Sequence, residues 1–319
     1  MNDVVVMTDP SSEEGSRPLL KRAVEMVSGE PPVFVDARCF YDGGRGRLRK
    51  KGGNFMLEAP ELGLPVKPSM VVIYEIKPED RCRFVSFQAK LAESRVASLG
   101  AQAQAWKNAT QKDCMVARFG ECSIPQMASI VLNRPTFDVA ADAFKQLGSD
   151  VWTRPTIGCG GNDVFHVMNT RDLHAALDHY AAAGMDWLCT RDAGNFDRQG
   201  RRHQFRVVVL GDRVLRVCEH IQDNPDVPCN EMQGAVSTLL PPEALPSAMR
   251  SLAVRATRSL GLPFGGVDLA VENGGVVFEV NVHPVIDVPQ GLETLAIPYV
   301  EAHFAEALAG KWGSVGDMQ

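Results

Sequence analysis

Several features are missing from this 319-residue sequence, and each absence removes a class of protein. No apolar run approaches the ~20 residues of a membrane-spanning helix. The N-terminal stretch MNDVVVMTDP is too short and too poor in basic residues for a signal peptide. The eight cysteines, at 39, 82, 114, 122, 159, 189, 218 and 229, include no Cys-x-x-Cys pair. This argues against a zinc framework and fits small core thiols in a reducing, cytoplasmic compartment. Positive charge is not in excess: 33 Lys and Arg against 39 Asp and Glu give a net −6. Nonspecific nucleic-acid binding is therefore not expected to be the main role, and no membrane partner is expected. No Gly-x-Gly-x-x-Gly follows the first apolar strand, so the dinucleotide fingerprint is absent too.

What is present is the composition of a soluble globular protein, 45% hydrophobic and 23% charged. The length suggests two or three compact units. Residues 1–98 read as an α/β unit, with strands at Val4–Val6, Val33–Val35 and Met70–Tyr74 and a helix over Ser11–Met26. This alternation predicts a parallel sheet. Tyr41–Asn54 is a basic, glycine-rich segment, either a solvated loop or edge hairpin or a phosphate contact. Arg81–Trp106 looks helical, and a further helix opens over Lys107–Lys112. Residues 99–185 form a smaller unit, with strands Ala128–Leu132, Asp150–Arg154 and Val164–Met168. Its helices are Phe137–Leu147 and Thr170–Ala183, the latter with Thr170 as its N-terminal cap. Residues 186–319 form the third unit. It contains a strand at Trp187–Thr190 and a hairpin of His203–Leu210 with Arg213–His220, in which Arg206 faces Val217. Helices are expected at Pro242–Leu260 and Pro298–Leu308, followed by a frayed tail, Lys311–Gln319.

The most informative stretch is FGGVDLAVENGGVVFEVNVHPVID, residues 264–287. Two apolar runs flank Asn273-Gly274, the signature of a hairpin with a type I′ turn. That turn pairs Val271 with Val276, Asp268 with Glu279 and Gly266 with Asn281. Alternation gives a core face of Val267, Leu269, Val271, Val276, Phe278 and Val280. The other face carries Asp268, Ala270, Val277, Glu279 and Asn281. Opposed carboxylates destabilise a sheet unless a cation lies between them, and oxygen-only donors suit Mg²⁺ or Mn²⁺. The plainer reading is a solvated face with two ordinary acids.

Three other positions invite chemistry. Thr156–Asp163 (TIGCGGND) lies between two strands, so it is neither a P-loop nor a Rossmann turn. It is either a tight turn or a lid whose backbone N–H groups cover phosphates, with Arg154 on the entering strand as a fixed positive charge. Lys112 alone is an ordinary helix lysine. Arg206, in an apolar strand, needs an anionic partner, either a phosphate or a structural acid such as Glu219.

Taken together, Lys112 to Asp287 resembles the ATP-grasp superfamily, in the branch of ribosomal-protein glutamate ligases and related amino-acid ligases. The most specific part is GGVDLAV followed by VFEVNVHP. The resemblance implies an α/β (α+β) ATP-grasp fold, with a Rossmann-like N-terminal domain and two α+β subdomains sandwiching ATP. It implies Asp268, Glu279 and Asn281 as metal ligands for two Mg²⁺ (or Mn²⁺) ions, with Glu279 bridging them. It further implies Lys112, Arg154 and the lid glycines Gly158, Gly160 and Gly161 on the phosphates. Leu188, Cys189, Thr190 and Arg191 fall on the strand that cradles adenine. Arg206 is implied as the catalytic arginine, and Asn230 resembles an asparagine near the active site. Four positions depart from the pattern. Arg154 stands for the usual lysine, Thr190-Arg191 for a glutamine–glutamate pair, and Ser123 for the glycine of a G-I-P signature. They suit a divergent, specialised biosynthetic branch.

The activity implied is an ADP-forming carboxylate–amine ligase working through an acyl phosphate on small amino-acid-like substrates, by amide formation or by ring closure as in D-cycloserine formation. Modification of a peptide or protein is the rival within the class, and a non-catalytic ATP-binding module the rival outside it. His283 is read as either a general base or a polar residue ending a strand. A homodimer is expected by analogy alone.

Overall fold

In the computed structural model, which describes residues 3–94 and 96–309, the N-terminal elements are β1 (Asp3–Thr8), α1 (Ser16–Ser28), β2 (Val33–Asp36), β3 (Arg47–Lys51), β4 (Asn54–Glu58), β5 (Pro68–Ile73), α2 (Val85–Ser94) and α3 (Ala103–Thr110). Strands β2-β1-β5 form a three-stranded parallel sheet, as the alternation predicts. The basic segment is an edge hairpin, β3 against β4.

Helix α1 starts five residues later than expected. Asp9 Oδ1 accepts from both the N–H and the hydroxyl of Ser11, which holds the preceding residues in a turn. Gly15 then enters the helix with φ 77°, and the buried Glu75 carboxylate accepts from the N–H groups of Ser16 and Arg17. The acid is placed by the fold at the positive end of the helix, where one is favoured. Arg81–Trp106 is not one helix. A 3₁₀ turn over Pro78–Phe84 precedes α2, and the chain opens again around Gly100, at φ 73°, before α3.

The chain divides into two compact units: residues up to Lys107 together with those from His283 onward, and Asn108–Val282. The second unit contains α4 (Lys112–Glu121), β6 (Ser129–Leu132), α5 (Phe137–Gln146), β7 (Val151–Pro155), β8 (Phe165–Val167), α6 (Thr170–Ala183), β9 (Trp187–Arg191), β10 (Arg202–Leu210), β11 (Arg213–Gln222), β12 (Val236–Leu240), α7 (Ser247–Ser259), β13 (Phe264–Ala270) and β14 (Val276–Asn281). Two antiparallel sheets result, β6-β9-β7-β8 and β12-β11-β10-β13-β14. The first buries Val151, Val167, Trp187 and Cys189 beneath Ala140, Phe144, Leu173 and Tyr180 of α5 and α6. The cap of α6 is Asn169, not Thr170; its side chain accepts from the N–H groups of Arg171 and Asp172. Helix α7 begins only at Ser247, because Pro246 forces Leu245 into an extended conformation. The edge strand β12 had no sequence signal, since its residues are mostly exposed.

Helix α8 (Ile297–Ala309) belongs to the first unit, where Tyr299 and Val300 are buried with Leu20 and Val24 of α1. Among the described residues no helix is long and apolar enough to cross a membrane. The tail Lys311–Gln319 lies outside the described residues.

Candidate active site

Strand order puts the chemistry on adjacent strands. Arg206 on β10 pairs with Asp268 on β13, and Asp268 pairs with Glu279 on β14. The opposition of the two acids, and of Gly266 to Asn281, is as expected. The turn is not. Asn273 and Gly274 take the positive φ values of a type I′ turn, 54° and 91°, but the last ladder pair is Ala270 with Val276. One extra residue, Phe278, is accommodated by a bulge between the pairs Asp268–Glu279 and Leu269–Val277. The bulge reverses the faces of the outer half of β14. Val277 turns into the core, 2% exposed, and Phe278 lines the cleft, contrary to the simple alternation.

The bulge also frees the Phe278 carbonyl from the ladder. Arg154 of β7 donates to it through both terminal nitrogens, at 3.3 and 3.4 Å. The other end of that guanidinium, Nε, is buried without a hydrogen-bond partner. Arg154 Nη1 stands 3.9 Å from Glu279 Oε2, and Lys112 Nζ 3.7 Å from the same oxygen. Lys112 is the first residue of α4 and is buried, not exposed as an isolated helix lysine would be. Its N–H bonds Thr156 O and its Nζ donates to Gly158 O at 3.0 Å, which ties it to the glycine hairpin. Burial pushes the Glu279 carboxyl up, but the charges of Lys112, Arg154 and Arg206 outweigh it and hold the group below its usual range.

A second bulge, between Val208 and Val209, shifts the β10–β11 register by one residue, so Arg206 faces Cys218 and not Val217. Its partner is Asp268, in a two-pronged pair with Nε–Oδ1 and Nη2–Oδ2 both 2.7 Å. Glu219, the structural acid suggested for it, instead bonds His203 Nε2. Asn281 gives its NH₂ to Asp268 Oδ2 at 3.3 Å and to Gly266 O at 3.4 Å.

The glycine loop joins β7 to β8, as its position between two strands implies. Gly160 and Gly161 have φ 69° and 73° and pack against Met232 and Gln233 so closely that a Cβ would lie 2.6 Å from Met232 Sδ and 2.9 Å from Gln233 Cγ. Gln233 Nε2 donates to Gly160 O at 3.1 Å. Asn230, which caps that turn, lines the cleft. Of the four residues expected to cradle adenine, Thr190 and Arg191 reach the cleft; Leu188 and Cys189 are fully buried and do not line it. His283 is not brought to this cleft. It lies in the first unit, buried beside Tyr74 and Trp106.

Sequence reasoning missed the outer wall of the cleft. Trp152 stacks on His166 with centroids 4.6 Å apart and donates to Asp192 Oδ2 at 2.7 Å. Asp150, His166 and Asp192 are spaced closely enough to hold a metal. However, Asp192 Oδ2 is taken by Arg202 at 2.6 Å, and both His166 nitrogens face aspartates, Asp150 at 2.8 Å and Asp226 at 2.9 Å. The group reads as a clamp. These contacts come from side chains scattered between Asp150 and Asp226, so no local pattern announces them.

Two antiparallel sheets closing on a cleft, one of them carrying the opposed acids, define the ATP-grasp fold. Within it, residues 156–294 match the RimK-like ATP-grasp domain. A relative from Pasteurella multocida (strain Pm70), a probable alpha-L-glutamate ligase, is 31% identical over 96 residues, or 30% of each chain. The match thus spans about a third of the length of that curated relative. Among solved structures, D-alanyl-alanine synthetase A from Vibrio cholerae aligns with TM-score 0.70 at 14% identity, over 96% of this chain and 98% of that one. D-cycloserine synthetase DcsG aligns with TM-score 0.65 at 16% identity, over 98% and 100%. ATP-grasp ligase PsnB, complexed with a minimal precursor, aligns with TM-score 0.67 at 17% identity, over 96% and 99%.

Proposed function

We propose that this chain is an ATP-dependent, ADP-forming ligase that joins a carboxylate to an amine through an acyl phosphate, on a small amino-acid-like substrate in specialised biosynthesis. The observation that carries the reading is that Asp268, Glu279, Lys112 and Arg154 line one cleft under a glycine hairpin, with Arg206 and Asn281 bonded to Asp268 behind them.

ATP and a divalent cation fit the residues present. The buried, unpartnered Nε of Arg154 is a donor awaiting an acceptor. Two carboxylates and an amide whose NH₂ is already engaged offer oxygen donors of the hard type. Asp268, Glu279 and Asn281 would hold Mg²⁺ or Mn²⁺. Such ions, when bound, neutralise phosphate charge during transfer. Lys112 and Arg154 hold the phosphates from the glycine-hairpin side. Arg206 faces the reacting groups from β10 and stabilises charge as the substrate carboxylate attacks the γ-phosphorus and ADP leaves. Each such donor typically contributes ~3 kcal/mol of barrier lowering. The glycine hairpin keeps water from the acyl phosphate until the amine arrives. Thr190 and Arg191 border the base, while Leu188 and Cys189 support that strand from within. Eight scattered cysteines with no Cys-x-x-Cys pair, together with the demand for ATP, support a cytoplasmic setting.

A phosphate-release screen with Mg-ATP and single or paired amino acids tests the reading. Stimulated ADP formation is expected from the wild-type chain, and none from a folded Glu279→Gln variant. The peptide-modifying alternative draws on the neighbour solved with a precursor. It gains if only peptides stimulate ADP release. ATP-dependent assembly without turnover on any panel would favour a non-catalytic module.

A further inference from the structure

The ligase reading leaves one proton without a destination, the one the attacking amine must lose. Strand order supplies a position for its acceptor. Across the five-stranded sheet the face that carries the acids runs Glu279 on β14, Asp268 on β13 and, paired with it, Arg206 on β10. The next strand, β11, pairs Cys218 with Arg206 and His220 with Gln204, and Gln204 lines the cleft. Paired residues share a face and diagonal neighbours stand about 7–8 Å apart. His220 is therefore next to Arg206, on the side away from the acids and whatever phosphates they hold. An amine adding to a face of the acyl carbonyl would meet His220 on the side that the phosphates leave open.

We infer that His220 is the base that accepts the amine proton, an inference that rests on the ligase reading above. The imidazole is 2% exposed and its Nδ1 has no hydrogen-bond partner. The other histidines of the second unit are committed elsewhere. His166 and His179 are bonded to aspartates, His203 is held between Glu219 and Glu272, and His174 stacks on Phe137 on the exposed side of α6. Several groups bear on His220. Burial and the positive charge of Arg206 lower its pKa, while Asp268 and Glu231 oppose them, and the net direction is down. Cys229 donates its thiol to the His220 carbonyl at 3.3 Å, and Cys218 and Gln204 flank the ring in the ladder. The imidazole is accordingly neutral near pH 7, as a base must be. In the step, the amine nitrogen bonds to the acyl carbon and the carbon–oxygen bond to phosphate breaks. Its electron pair leaves on phosphate, and the nitrogen's proton passes to His220.

The test compares two nucleophiles in wild type and His220→Asn. The acyl donor is the amino acid that best stimulates ADP release, and the nucleophile is either the amine substrate or hydroxylamine, which traps acyl phosphates with little need of a base. With hydroxylamine the variant should keep ADP and hydroxamate formation within about twofold. With the amine it should fall about 100-fold or more and lose the acid limb of the wild-type kcat profile. Amide formation within threefold of wild type, or equal loss with both nucleophiles in a folded variant, overturns the inference alone. Should His220→Asn not fold, His220→Gln and the wild-type profile decide: an acid limb is required with the amine and not with hydroxylamine. If wild type releases no ADP with any amino acid, the ligase reading falls and the inference with it.

Discussion

Asp268 is 4% exposed, and both its oxygens rest on Arg206. Removing the guanidinium alone strands a buried charge, which typically costs about 3–5 kcal/mol. Arg206→Met should therefore melt well below wild type in the absence of metal. Adding Mg²⁺ should narrow the gap in a calorimetric scan, because a cation then answers the same carboxylate. Arg154→Lys should be less damaging to folding but should raise KM for ATP about 10- to 100-fold, from one or two charge-assisted hydrogen bonds lost. A lysine cannot span Phe278 O and a phosphate at once. Ser123 adopts φ 52°, a left-handed conformation that costs a non-glycine residue energy. That is the physical content of its replacing a glycine. His203 has a pH signature of its own. The hydrogen bond its ring donates to Glu272 raises its pKa against burial, and Glu219 adds to it; the Glu272 carboxyl ends below its usual value despite burial, because His203 faces it. A raised imidazole contributes stability that is complete below its unfolded pKa of about 6.5 and lost as pH climbs through the folded value. A lowered carboxyl contributes stability that is lost as pH falls below about 4.3. The melting difference between wild type and His203→Gln should thus peak at about pH 4.5–6.5 and shrink on the alkaline side.

Two bulges decide what the strands present. The extra residue at Phe278 leaves Asp268 and Glu279 opposed while turning Val277 inward, and the one near Val208 moves Arg206 from Val217 to Cys218. A one-residue slip exchanges the two faces of a strand, so deleting Phe278 should abolish ADP formation even if the hairpin still forms. The glycine hairpin is likewise held by a neighbouring element, the turn at 230–233, through Gln233 Nε2 to Gly160 O and Asn162 Oδ1. Gln233→Ala should raise KM for ATP about three- to tenfold, from a neutral hydrogen bond. It should also increase ADP release uncoupled from product, measured as the ADP-to-amide ratio.

At the scale of the chain, the first unit is completed by residues that come last. Tyr74 donates its hydroxyl to Pro284 O at 2.5 Å, Ser16 Oγ accepts from the N–H of Ile286, and Leu295, Tyr299 and Val300 are buried in the same unit. Truncation after Val282 should leave residues 1–107 readily cleaved in limited proteolysis while 108–282 stays resistant, because only the first unit loses core. How much of this was legible in advance follows from range. Hydrophobic alternation and the Asn-Gly turn exposed the β13–β14 hairpin, the parallel β1, β2 and β5, and the opposed acids, since each depends on neighbours in sequence. The sequence by itself determined the pairing of the two acids, the glycine hairpin between two strands and the ATP-grasp class. Only the tertiary structure decided the partner of Arg206, the burial of Lys112, the role of Phe278 O and the place of His220. Those depend on bulges and on contacts between distant strands, where a single inserted residue, invisible to periodicity, sets which side chain faces the cleft.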